Sequence, residues 1–346
     1  MNNAYPCSSK SVCPVISMSG LDRVAHSLVA GMAPRRAVKR AGRFVLLSLG
    51  AAMLTASGKA AYYNTYSTVT TLPNADSCYA TQGFDTGSTY AYSAKVNGDN
   101  TNAVIYRTKK SDGTTTLMTN GDNGTTYATY LNHANDLTLS GINGGYFMFV
   151  ATMSTGSLSL VKLEYSGATY YKVGNYTLQY NGTNVSMSGI KKITSDTNND
   201  YFLFKSGLHY YWGSVPKNSS SGIVTLTSAF SLNVADALVN GSKVPNITSY
   251  AGQGFGYSAA NDRLFVPLTY ENISIVLVYE NISTATGTIT SNPDLSFRIT
   301  SSTYPDLFEI ESCAIEDGKL YFNCNRRTDS SDTSHDAVCY FDGYAD

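Results

Sequence analysis

The chain has 346 residues, of which 14% are charged, and its formal net charge is −1. That balance lacks the basic face a nucleic-acid partner requires. The 27 tyrosines, with abundant threonine, serine, asparagine and glycine, suit half-buried pleated strands joined by turns, so the composition favours one large all-β domain or two smaller ones.

In chain order, the first feature is a leader. Arg35, Arg36, Lys39, Arg40 and Arg43 form a basic cluster, Phe44 to Ala56 is mostly apolar, and the small residues Gly58, Ala60 and Ala61 follow. Basic region, short apolar core and small-residue site are the order of a secretory signal peptide. The apolar run has 13 residues, whereas a spanning helix needs about 20. The expectation is a cleaved leader over residues 1–61 (basic 35–43, apolar 44–56) and a product that is secreted or held at the cell surface, with no stable membrane span. An uncleaved signal anchor is the rival. The region ahead of the leader is long, so translation is expected to start at Met32, with Met18 the alternative.

Tyr62 to Leu72 is rich in β-formers. Five stretches then share a loose local pattern: Thr81–Phe84, Asn135–Thr138, Lys191–Thr194, Gly252–Phe255 and Glu311–Ala314. Each is followed by a short aromatic or aliphatic run, beginning at Tyr90, Tyr146, Tyr201, Leu264 and Leu320. Turn formers such as Asn143-Gly144-Gly145, Asn261-Asp262 and Asp317-Gly318 precede most of those runs. The equivalent positions Gln82, Asn135, Lys191, Gln253 and Glu311 recur 53 to 62 residues apart. A repeat of this length built from short strands marks a β-propeller. After residue 311 there is clear room for only three strands, near 311–316, 319–325 and 337–341, so 62–72 is expected to supply the fourth. The expected fold of residues 62–346 is therefore an all-β, five-bladed β-propeller whose ring is closed by an N-terminal strand. A β-sandwich pair or a β-helix is the rival.

The first strand of each blade lines the central channel, and strand side chains share a face every second residue. That rule groups Gln82, Asn135, Lys191, Gln253 and Glu311 at one level. It places His133 beside Asn135 and Glu309 beside Glu311. It also puts Phe84, Leu137, Ile193, Phe255 and Cys313 further along the same face. Together with Asp136 the polar set is read as a ligand-binding channel mouth. The plain alternative is a set of groups that satisfy one another and trapped water along a wet axis.

Cys78, Cys313, Cys324 and Cys339 follow the leader, an even number that permits three pairings. Cys324 with Cys339, or Cys78 with Cys313, would staple the ring near its closure. Four buried free thiols is the other reading.

The stretch His133-Ala134-Asn135-Asp136-Leu137-Thr138 resembles a His-Ala-Asn-Asp-Met-Thr signature of secreted propellers from Gram-positive bacteria, with Leu137 in place of Met. Residues 252–268 and 309–325 are similar to the same group, and 186–194 match weakly. The group includes helveticin J-like bacteriocins and phage receptor-binding or teichoic-acid-related five-bladed propellers. The resemblance implies action at a bacterial cell envelope and implicates His133, Asn135, Asp136, Glu309 and Glu311.

No nucleophile elbow, phosphate loop or zinc-spaced set of His and Cys occurs in the sequence. No cofactor is expected. Calcium is the one ion considered, because Asn135, Glu309 and Glu311 offer hard oxygen ligands. A metal-dependent hydrolase, a Glu309/Glu311 carboxylate pair for glycosidic cleavage and sugar stacking by His209-Tyr210-Tyr211-Trp212 are the lesser readings. The leading one is a monomeric, non-enzymatic module that binds an envelope glycan or polymer, with a helveticin J-like (class III) bacteriocin as the alternative.

Overall fold

The computed structural model describes residues 66–239 and 241–341, so the leader expected over residues 1–61 lies outside the described residues. No helix among the described residues is long and apolar enough to cross a membrane.

The main strands group into five four-stranded runs. The N-terminal strand β1 (Tyr66–Thr71) stands apart in sequence from the sheet it joins. The first sheet is β2 (Cys78–Thr86), β3 (Tyr90–Asn97), β4 (Ala103–Lys109) and β5 (Thr115–Leu117). The second is β6 (Asp136–Ile142), β7 (Gly145–Ala151), β8 (Leu160–Ser166) and β9 (Thr169–Tyr180). The third is β10 (Gly189–Ser195), β11 (Asn199–Ser206), β12 (His209–Pro216) and β13 (Ser221–Asn233). The fourth has an interrupted inner edge, β14 (Ala251–Gly252) and β15 (Gly256–Ser258), then β16 (Arg263–Tyr270), β17 (Ile273–Glu280) and β18 (Phe297–Thr300). The fifth is β19 (Leu307–Glu316), β20 (Lys319–Arg327) and β21 (Ala337–Phe341), completed by β1.

Local chemistry explains the hairpins. Asp317 and Gly318 have φ of 52° and 69°, and Asn143 and Gly144 have 50° and 83°. Paired left-handed residues make the tight turn whose twist matches the flanking strands, and Asp-Gly and Asn-Gly adopt it at least cost. The continuous apolar runs are second strands buried on both faces. In β7, Met148 and Val150 enter one core while Phe149 and Ala151 enter the next. In β11, Phe202 and Phe204 face one way and Leu203 the other.

Five apolar clusters lie between successive sheets. One joins the first and second sheets, for example Ile105 with Leu137 and Val161. Others join the second to the third, the third to the fourth and the fourth to the fifth. The fifth cluster packs Phe84, Val104 and Tyr106 of the first sheet on Ala314, Tyr321 and Val338 of the last. The sheets therefore form a closed ring, as a propeller requires. Each fully buried Phe or Leu contributes about 1.5–3 kcal/mol relative to exposure. The outer strands β9 and β13 add a parallel pairing, Asn175–Tyr180 against Ser221–Leu226.

Closure occurs where the sequence placed it. Strand β1 runs antiparallel to β21, from Tyr66 opposite Phe341 to Thr71 opposite Ala337. The seam is latched by Lys95, which is fully buried. Its Nζ donates to Leu72 O at 3.2 Å and Asn74 Oδ1 at 2.8 Å, and lies 3.0 Å from Asp336 Oδ2. The four cysteines are not bridged: all are buried and free. Cys78 and Cys313 belong to different intersheet cores, which removes that pairing. Cys324 and Cys339 do meet, with Sγ atoms 4.0 Å apart as thiols.

Because β1 covers the whole edge of β21, deleting residues up to Thr71 exposes an unpaired strand edge. The truncated chain is expected to melt at least about 10 °C lower, at roughly 2–4 °C per kcal/mol lost. It is also expected to self-associate on size exclusion. An unchanged midpoint and a monomeric profile would refute closure by this strand.

Candidate functional site

The inner edges of the sheets meet at the axis, and their irregularities place the polar side chains. In β2 the register jumps between Thr81 and Phe84, leaving Gln82 and Gly83 out of the ladder. In β19 it jumps between Ile310 and Ser312, leaving Glu311 out. In the fourth sheet, Gln253-Gly254-Phe255 fills the gap between β14 and β15. An extra residue in a strand re-aims its side chain, so Gln82, Gln253 and Glu311 leave strict alternation at one level of three sheets.

His133 and Asn135 also depart from the strand rule. They precede β6 in a loop where Asn132 and Ala134 both have φ of 47°. That left-handed backbone breaks the shared face expected from alternation. His133 Nε2 turns toward the first sheet and lies 3.0 Å from Gln82 Oε1. Asn135 turns toward the third and donates Nδ2 to Ser188 O at 2.6 Å. The backbone N–H of Gly83 donates to Ala134 O at 3.0 Å. A Cβ at Gly83 would stand 2.8 Å from that oxygen, so the approach requires glycine.

Lys191 and Asp136 lie in a sealed layer rather than at an open mouth. Lys191 is 3% exposed and Asp136 is 0% exposed. Lys191 Nζ donates to Asp136 Oδ1 at 2.7 Å, Phe84 O at 2.8 Å, Leu137 O at 2.8 Å and Ser312 Oγ at 3.2 Å. Asp136 also accepts from the Ile190 N–H at 3.0 Å and from Ser312 Oγ at 2.9 Å. Four sheets are tied at this point. Gly254 clears the same layer, since a Cβ there would come within 2.7 Å of Ser312 Oγ. Burial pushes the Asp136 carboxyl up, opposed by the Lys191 charge.

The apolar residues expected further down the channel go elsewhere. Phe84, Leu137, Phe255 and Cys313 sit in four different intersheet cores, and Ile193, skipped in the β10 register, packs on the third-to-fourth core. Bulges re-aim the chain at Phe84, Ile193 and Cys313, Phe255 fills the gap between β14 and β15, and Leu137 follows the left-handed loop ahead of β6.

Above the sealed layer His133, Gln253 and Glu309 are half-buried, while Gln82, Asn135 and Glu311 are buried. Gln253 Nε2 donates to Glu309 Oε1 at 3.2 Å. Glu311, 1% exposed, accepts from Asn325 Nδ2 at 2.6 Å, while its Oε2 receives no donor. Burial, and then the adjacent Glu309 carboxyl, push Glu311 well above the ordinary glutamate range. That shift favours the protonated, neutral form of Glu311. Burial lowers His133, so its imidazole is neutral near pH 7. Sequence reasoning missed Lys205 on β11. It is buried, and its Nζ donates to Gly252 O at 3.2 Å and to Gln253 O. Burial brings it down to about 8. A lysine in an otherwise apolar second strand was the available signal.

Among the described residues no three His, Cys, Asp or Glu side chains converge as a metal-binding group. Of the oxygen set read from the sequence, Asn135 engages Ser188 through its amide nitrogen. The His209–Trp212 segment is an ordinary strand with no continuous aromatic face. Tyr210 is in a core, Tyr211 packs on Tyr180, and Trp212 lines a cleft with Tyr201.

No family model and no curated protein sequence matches the chain. Solved structures do. RS223-β-xylosidase aligns at TM-score 0.45 and 10% identity, over 77% of this chain and 92% of that one. A glycoside hydrolase of Parabacteroides distasonis aligns at 0.41 and 10%, over 84% and 100%. The GH43_1 enzyme of Xanthomonas citri in complex with xylotriose aligns at 0.42 and 6%, over 80% and 89%. Likeness at this level leaves function to this chain's own side chains, and the helveticin J resemblance rests on its short motifs alone.

The axial ion pair makes a sharp prediction. Lys191→Met leaves a buried carboxylate unpaired and is expected to cost about 3–5 kcal/mol in denaturant unfolding. Adding Asp136→Asn is expected to recover most of that loss, and equal losses in both variants would refute the pairing. A second prediction concerns pH. Glu311 binds its proton more tightly folded than unfolded. Its contribution to stability is full below the ordinary glutamate value and is lost as pH rises through the raised folded value. Glu311→Gln is expected to match the parent near about pH 5 and to melt higher near about pH 8. A parallel shift at both values would refute a neutral Glu311.

Proposed function

We propose that this chain is a secreted, non-enzymatic propeller that binds a polyhydroxylated polymer, an envelope glycan, over its axial mouth. The observation that carries the reading is the ladder irregularity that takes Gln82, Gln253 and Glu311 out of register at one level, where half-buried His133, Gln253 and Glu309 lie beside them. There Gln82 engages His133, and Gln253 engages Glu309. Each pair uses only part of its capacity: an amide has two donors and an acceptor, and imidazole and carboxyl keep a second polar atom. Groups that both donate and accept suit sugar hydroxyls. The buried Lys191 and Asp136 neutralise one another below.

Catalysis is the weaker reading. Glycosidic cleavage places two carboxyls on opposite sides of the scissile bond, at least about 5 Å apart. Glu309 and Glu311 stand two residues apart on one strand, adjoin one another, and Glu311 is buried. Pairing of that kind sets a proton between two neighbours and leaves no room for a sugar.

Pull-down on purified bacterial cell-wall polymer is the direct measurement. Glu309→Gln and His133→Ala are each expected to weaken binding roughly tenfold, about 1.4 kcal/mol, without loss of fold. A chelator is expected to change nothing. Unaltered binding in both variants would remove the axial mouth as the site. Killing of indicator bacteria by the same preparation would extend the reading to a helveticin J-like bacteriocin.

A further inference from the structure

A cleft between the first and second sheets, at the rim where β2 turns into β3, has no part in the axial mouth. It encloses about 250 Å3. Three tyrosines wall it. Tyr92 on β3 and Tyr165 on β8 meet with ring centroids 5.0 Å apart, and Tyr146 on β7 lies 5.8 Å from Tyr165. Tyr146 is 63% exposed, a large ring that no part of the described structure covers.

Arg107 on β4 stands opposite Tyr92 in the strand register and lines the same cleft. Its Cζ lies 4.4 Å from the Tyr90 ring centroid. Its Nε is buried and has no acceptor. Among the described residues no carboxylate pairs with it. A buried donor left without an acceptor costs about 1–3 kcal/mol, and the guanidinium meets the cleft with its charge unanswered.

The geometry points to a binding site for an acidic sugar, a single ring carrying a carboxylate of the uronic acid type. The guanidinium plane matches a carboxylate fork. The exposed Tyr146 ring supplies stacking surface, and the hydroxyls of Ser88 and Thr89 at the mouth bond ring hydroxyls. The volume falls below the usual range for drug-sized ligands, which selects one ring rather than a bulky group. Glycines 87 and 167 at the mouth put no side chain in the way. The site is independent of the axial mouth.

Calorimetric titration of the whole protein with an oligogalacturonate, a neutral hexose oligomer of equal length and inorganic phosphate tests this site. The oligogalacturonate is expected to bind, and binding should weaken with salt. Arg107→Gln is expected to lower its affinity roughly tenfold or more. Tyr146→Ala is expected to lower it roughly threefold to tenfold, with an unchanged melting midpoint because the ring is exposed. Should Arg107→Gln disturb the fold, Tyr146→Ala decides. Absence of binding, binding indifferent to both substitutions, or full competition by phosphate at equal concentration would each overturn the proposal. The last would mark an anion hole without sugar recognition. Loss of uronate binding with neutral-glycan binding intact refutes this site alone. Uronate binding with no neutral glycan held at the axis refutes the axial reading alone.

Discussion

The ring depends on one buried contact, the ammonium of Lys191 against the carboxylate of Asp136. A five-sheet ring leaves a hole at its centre, and short inner strands cannot fill it with apolar bulk without blocking one another. Here three side chains from three sheets fill it: Lys191, Asp136 and Ser312. The remaining two inner edges yield the space with Gly83 and Gly254. Every donor of the ammonium finds an oxygen, and two of those oxygens are backbone carbonyls of neighbouring sheets. A buried ion pair is not intrinsically stabilising, since desolvation offsets most of the attraction. What it supplies is register. A sheet displaced along the axis would leave a charge without its partner, so the pair specifies how the sheets align.

That plug decides what the mouth can do. With the axis sealed by a neutral pair, nothing passes through, and the groups above it form a shallow floor rather than a tunnel. Their arrangement in bonded twos, imidazole with amide and amide with carboxyl, holds side chains that would otherwise be mobile. Glu311 is buried, Asn325 holds one of its oxygens, and burial beside Glu309 favours its neutral form.

Much of the fold was legible because it rests on periodicity. The aromatic runs at Tyr90, Tyr146, Tyr201, Leu264 and Leu320 became the second strand of each sheet, and the last three strands fell close to 311–316, 319–325 and 337–341. The need for a fourth strand there identified β1 before any coordinates. The axial level was only partly legible. Alternation holds while each strand keeps its ladder, and at the axis it does not. A bulge at Gln82-Gly83, another at Glu311 and a left-handed Ala134 re-aim neighbours without any signal in residue type. Lys191 reads as the counterpart of Asn135, yet it bonds Asp136, one residue on. The cysteines were ambiguous for another reason: Cys324 and Cys339 lie on facing strands, but proximity in a sheet does not fix oxidation state.

The rim cleft follows from a change of residue size along one strand. Between the first and second sheets β3 carries Ala94 in the core and Tyr92 toward its turn from β2, where the Tyr92 ring meets Tyr165 and Tyr165 meets Tyr146. Three rings meeting at an angle leave a slot at the surface. A guanidinium in that slot, stacked on Tyr90 with one N–H unanswered, gives a packing gap a chemical preference. The axis, where the sheets converge, selects instead for short polar side chains that answer one another. The unanswered charge therefore lies at the rim of this ring, and the hub holds polar groups bonded to one another.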